Sequence, residues 1–207
     1  PGICIPVMRV IPHTDKMIER AFEKASRLGS LNNSILRGKG NAAGYMGEEA
    51  VASYLGADIV SNDQYGYDLL KGGRKVEVKT KRRTVAPKGR YEVSVATTSS
   101  HQKPDLYAFV SLQFNRSGKV KNRRVYGDLE SVWLLGYKTP EDYFCEAQIW
   151  KPGDIDPDNN FETIVEMFNL PIHKLDTAQE RDYMRYQAFV YDILGFGLGE
   201  RAYDYGN

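Results

Sequence analysis

Tyr67-Asp68-Leu69-Leu70-Lys71-Gly72-Gly73-Arg74-Lys75-Val76-Glu77-Val78-Lys79 is the stretch whose reading decides the fold. Gly72-Gly73 predicts a two-residue hairpin turn, because both central positions can take positive φ without a Cβ clash. With that pair as the turn, Lys71 faces Arg74, Leu70 faces Lys75 and Leu69 faces Val76. Asp68 then falls opposite Glu77, with Cβ atoms about 5 Å apart. Lys79 projects from the same face of its strand as Glu77. Acid placed opposite acid destabilises a strand pair, and a cation between the two removes the repulsion. Hard oxygen ligands of this kind suit Mg²⁺ or Mn²⁺. The alternation of Glu77, Lys79 and Lys81 with Val76, Val78 and Thr80 is also that of any half-buried strand with a solvated charged face. Asp68 opposite Glu77 is what sets this strand apart.

Working outward, Met17, Ile18, Ala21, Phe22 and Ala25 recur at helical spacing and predict a helix over 14–29, stopped by Gly29. Residues 30–44 read as a basic loop carrying Arg37 and Lys39. A second helix is expected over 45–55. Glu48 shares its stripe with Val51, Ala52 and Leu55, while Glu49 lies to the side. A carboxylate on a core-facing stripe needs a charged partner, for which a metal ion or Lys79 is available. The helix dipole alone also favours an acid in the first turn. Strands are expected near 58–60, 65–70, 75–82, 91–96, 106–114, 125–126 and 132–135. Helices are expected over 139–148, 161–169 and 178–194, with a loop at 151–160.

The chain has 207 residues, 42% of them hydrophobic, enough for one sizeable core. Charge is unevenly spread. Residues 1–139 carry 23 Lys and Arg against 13 Asp and Glu, and residues 140–207 carry 5 against 14. The first part suits a polyanion and the second does not. Nine basic residues fall within 71–90, and Lys119, Lys121, Arg123 and Arg124 form a second cluster. Cys4 and Cys145 are too few for a disulfide framework, so a reducing, intracellular (cytoplasmic) setting is expected. No apolar run approaches the roughly 18 residues of a membrane span, so no membrane partner is expected. Pro1–Pro12 lacks a basic region ahead of it and is not read as a signal peptide. His13, His101 and His173 form no zinc motif. Tyr183, Tyr186 and Tyr191 recur along the last expected helix, where core packing is the plainest reading.

Glu48 on a helix, then Tyr67-Asp68, an eight-residue spacer and Glu77-Val78-Lys79, resembles the PD-(D/E)XK nuclease superfamily. The likeness covers roughly residues 44–112, with Tyr67 where the family usually has Pro. The resemblance implies an α/β fold: a restriction-endonuclease-like core with a central mixed β-sheet flanked by helices, over residues 1–150. A helical C-terminal extension, 151–207, would supply target recognition or dimer contacts. It implies a Mg²⁺-dependent DNA endonuclease, restriction-like or homing-type, working as a homodimer. Asp68, Glu77 and the Val78 carbonyl would hold the metal, with Mn²⁺ as a substitute. Lys79 would orient or help deprotonate the attacking water, and Glu48 would complete the shell or hold Lys79. Lys81, Arg82, Arg83, Lys88 and Arg90, with Arg37 and Lys39, would contact DNA phosphates. Gln102 and Glu49 are further candidates, although a turn residue is the plainer reading of Gln102. A Holliday-junction resolvase or exonuclease of the same superfamily shares this pattern. A non-catalytic nucleic-acid-binding domain on the same scaffold is a separate alternative.

Overall fold

The computed structural model describes residues 8–28, 41–60, 66–99, 102–115, 120–121, 124–125, 128–158 and 160–176. The chain is α/β, built on a mixed central sheet with three helices among the described residues. In chain order the elements are β1 (Arg9–Ile11), α1 (Asp15–Leu28), α2 (Asn41–Leu55), β2 (Asp58–Ile59), β3 (Leu69–Lys71), β4 (Arg74–Arg83) and β5 (Glu92–Ala96). They continue with β6 (Leu106–Phe114), β7 (Val120–Lys121), β8 (Arg124–Val125), β9 (Leu129–Lys138), α3 (Pro140–Glu146), β10 (Gln148–Trp150) and β11 (Met167–Pro171). Six strands form the central sheet in the order β1-β9-β6-β4-β3-β2. β4 and β6 run parallel, with Glu77 level with Tyr107 and Lys79 with Phe109, and the other pairs are antiparallel. β10, β11 and β5 form a second, three-stranded sheet, and β7 and β8 a small ribbon.

The hairpin forms as its sequence dictates. Gly72 and Gly73 take φ of 54° and 79°, and β3 and β4 pair as Lys71 with Arg74, Leu70 with Lys75 and Leu69 with Val76. The apolar run of β6 is buried on both faces, as a sheet centre requires. Leu106, Ala108, Val110 and Leu112 face one way, with Val76 and Val78 of β4 and Val132 and Leu134 of β9, into a core closed by α1 and α2. Tyr107 and Phe109 face the other way, into a second core with Val93, Val95, Leu135, Tyr143 and Leu170. Helices thus cover one face, and the small sheet with α3 covers the other. Thr139 caps α3 by accepting from the Asp142 amide, with Pro140 in the first turn, as helix starts favour.

The segment 161–169 corrects the sequence reading. No helix forms there. Ile155 bridges Glu162, and from Met167 the chain enters β11, the middle strand of the small sheet. Thr163, Ile164 and Val165 are β-branched and favour extended backbone. The described part of the expected helical extension is therefore strand and loop, with a single 3-10 turn at Ile172–Lys174. The helix expected over 178–194 lies outside the described residues. So do Arg37, Lys39, His101, Lys119, Arg123, Cys4 and the three tyrosines of that last helix. β1 and β10 are short edge strands that the sequence pattern did not single out.

α2 rests on β4 at Gly47. A Cβ there would lie 2.1 Å from Thr80 Oγ1 and 3.2 Å from Thr80 Cβ. Overpacking a stiff β-branched neighbour costs about 1–3 kcal/mol, more than the ~1 kcal/mol that Ala gains over Gly in a helix. Gly47→Ala is accordingly expected to lower Tm. An unchanged or higher Tm would show that α2 can shift off β4 freely.

Candidate active site

The expected acids lie along the margin of β4, near enough to act on one another's charge. The β3–β4 ladder ends at Leu69–Val76, and the chain bends at Asp68. Asp68 is therefore not a ladder partner of Glu77. Its amide donates to the Val76 carbonyl at 3.0 Å, and its own carbonyl accepts from the Val60 amide at 2.9 Å. Its side chain turns into the open edge of β4, where Oδ2 accepts from the Val78 amide at 2.7 Å. Glu77 lies on the face of β4 shared with Tyr107, and Glu48 comes from α2 on the opposite face. Both glutamates are buried, at 5% and 8% exposure. Their charges reach Asp68 from the two sides of the sheet margin.

Electrostatics record this proximity. Burial pushes the Asp68 carboxyl well above the usual carboxylate range, and the charges of Glu77 and Glu48 push it further. Burial also raises Glu48, with Glu77 and Glu49 adding to it, while the hydrogen bond from Lys24 opposes the rise. Tyr45, one turn before Glu48 on α2, has its hydroxyl raised by burial and then by Glu48 and Asp68. The folded state thus holds a proton on Asp68 more tightly than the unfolded chain does. Its contribution to stability is present at low pH and is lost as pH rises from about 3.9 toward the folded value. Asp68→Asn keeps an oxygen for the Val78 amide. In chelator at pH 7 it is expected to raise Tm by a few degrees, and the gain is expected to shrink at pH 4. A lower Tm at pH 7 would remove the carboxylate from this repulsive cluster.

Lys79 is held from two sides. Its Nζ donates to Glu77 Oε1 at 2.7 Å and to Gln102 Oε1 at 2.9 Å, above the ring of Tyr107 at 5.9 Å. Gln102 also turns the chain, its amide donating to the Ser99 carbonyl at 3.0 Å, so the turn that the sequence suggests there carries a side chain that reaches Lys79. The side chain that pairs with Glu48 is not Lys79. It is Lys24 of α1, whose Nζ lies 2.8 Å from Glu48 Oε2 and 4.3 Å from the centre of the Tyr45 ring. Glu49 points aside and accepts from Arg20 Nε at 2.9 Å. Arg20 and Lys24 sit one turn apart beside the stripe Met17–Ala21, and that spacing alone names no partner for them. Tyr107 is the other residue that sequence reasoning passed over. It is fully buried, its hydroxyl is pushed up to about 12 by burial and the Glu77 charge, and it belongs to a run that reads simply as core.

Among the described residues, no three His, Cys, Asp or Glu side chains close around one point that could hold an ion. Each glutamate has one oxygen turned to a lysine. The donor set nevertheless fits a hard divalent cation. Glu77 Oε2 is buried with no hydrogen-bond partner, and Asp68 stands in the repulsive field of two neighbouring carboxylates. Such oxygens are what Mg²⁺ and Mn²⁺ take.

The basic residues divide. Lys81 and Arg83 turn inward under β5, and both donate to the Glu92 carbonyl at 3.0 Å. Burial lowers Lys81 to about 8. Arg82 and Lys88 are exposed. Arg90 is exposed as well, but pairs with Asp158 at 2.7 Å and lies over the ring of Tyr91. No described helix is long and apolar enough to cross a membrane. A scan against protein-family models and a search of the curated proteins gave no match for this chain.

Proposed function

We propose that this chain is a metal-dependent DNA endonuclease of the PD-(D/E)XK superfamily, with a restriction-endonuclease-like core. The observation that supports the reading best is the gathering of Asp68, Glu77 and Glu48 at one sheet margin, with Lys79 fixed beside them by Glu77 and Gln102. Asp68 and Glu77, with the Val78 carbonyl, would hold Mg²⁺ or Mn²⁺, and Glu48 would complete the shell. A divalent cation bound there acidifies water and offsets charge on a phosphodiester. Lys79 has three N–H groups. Two are committed to Glu77 and Gln102, and the third is left for the attacking water or a phosphate oxygen, where a fixed positive charge favours the transition state. Arg82 and Lys88, both exposed near the far end of β4, would take DNA phosphates, which gives affinity that falls with salt and carries no sequence readout. Two copies paired about a two-fold axis would cut one strand each.

Cleavage of supercoiled and linear DNA in Mg²⁺, and its loss in EDTA, tests the reading. A four-way junction as a third substrate separates an endonuclease from a resolvase. Salt-dependent binding without cleavage in either Mg²⁺ or Mn²⁺ would favour a binding domain instead and end the endonuclease proposal.

A further inference from the structure

Lys24 is the one basic side chain among the described residues that reaches the acidic cluster from outside the hairpin. α1 packs on α2 through Met17 and Ala21. That docking aims two cations of α1 at two successive acids of α2, Arg20 at Glu49 and Lys24 at Glu48. The two pairs are not equivalent. Glu49 lies off the cluster. Glu48 is buried, feels the charge of Glu77, itself raises the carboxyl of Asp68, and has Lys24 as its ion-pair partner. The Lys24 ammonium also sits on the face of Tyr45, which favours a cation at that spot. A buried carboxylate needs such a partner whenever no other cation is present.

We propose that Lys24 is a built-in counter-ion of Glu48, which a divalent cation must displace before Glu48 can join a metal shell. The proposal rests on the metal-dependent reading above. Lys24 then sets the threshold of metal affinity from a helix that contributes nothing else to the site. Once released, its ammonium is free to meet a phosphate of the substrate.

Isothermal titration with Mn²⁺ and no DNA reads this directly. Losing one charge-assisted contact that competes with the ion corresponds to roughly a tenfold change in affinity. Lys24→Met is expected to bind Mn²⁺ about tenfold more tightly than the wild type, and Lys24→Arg within about twofold of it. Arg20→Met removes the same charge one turn away and is expected to leave affinity within about twofold. Unchanged or weaker binding by Lys24→Met would overturn the proposal. So would equal tightening by Arg20→Met, which would mean a general field and not displacement. If Lys24→Met does not fold, Lys24→Gln in the same titration must show the tightening. Wild-type protein that binds no Mn²⁺ would overturn the metal-dependent reading along with this one. Wild-type binding with no response at Lys24 would overturn this one alone.

Discussion

Lys79→Ala is expected to lower Mg²⁺-dependent DNA cleavage by about 10³-fold, the loss typical of removing one preorganised charge from a transition state. The expectation comes from how firmly the ammonium is placed. It is bound to Glu77 and Gln102, is 17% exposed, and has little room to be replaced by water. The substitution also leaves Glu77 buried with neither oxygen paired to protein, so Tm is expected to fall somewhat. DNA binding with Ca²⁺ in place of Mg²⁺, together with an unchanged circular dichroism spectrum, separates lost chemistry from lost fold. A folded Lys79→Ala protein that cuts within tenfold of the wild type would take Lys79 out of the site.

Phe109→Ala is expected to cost about 3–5 kcal/mol of folding stability, measured by urea denaturation. Phe109 is 1% exposed, stacks on Tyr143 with ring centres 5.2 Å apart and meets Tyr107 at 6.0 Å. It stands where β6, α3 and the small sheet meet, so truncating it opens a cavity that three elements would have to move to close. The cost is a large share of the 5–15 kcal/mol that holds most domains folded. A loss under 1 kcal/mol would mean that the second core does not hold the small sheet in place.

What could be read from the sequence was local. Two glycines fix a turn, the turn fixes register, and register brings Asp68 and Glu77 to one end of one hairpin without reference to the rest of the chain. β6 was legible because nine residues of nearly unbroken apolar character, rich in aromatic side chains and short for a helix, favour a strand buried on both faces. What was not legible was contact across long separations. Spacing cannot say that Lys24 reaches Glu48, because that depends on how α1 lies across α2. Nor can alternation along β4 say that Lys81 and Arg83 turn inward, because the sheet that covers them is completed by a strand some ninety residues later. Residues 161–169 misled for a different reason. Phe161, Ile164, Val165, Met167 and Phe168 satisfy a helical period about as well as an extended one, and the bridge of Glu162 to Ile155 and the pairing of β11 with β5 from Met167 onward go with the extended form.

The two-residue turn between Lys71 and Arg74 carries a consequence for how relatives of this chain can vary. Moving a strand by one position reverses which side of the sheet each residue occupies. An arm lengthened alone would therefore rotate its acid away from the other. Within the ladder, the distance along the chain from Leu69 to Val76 grows or shrinks by matched steps on both arms, and an odd residue between Asp68 and Glu77 has to be taken up by a bulge or by the bend at Asp68. Related sequences that keep both acids should differ in that interval by even numbers, or else show a bulge or a reshaped bend where the count is odd.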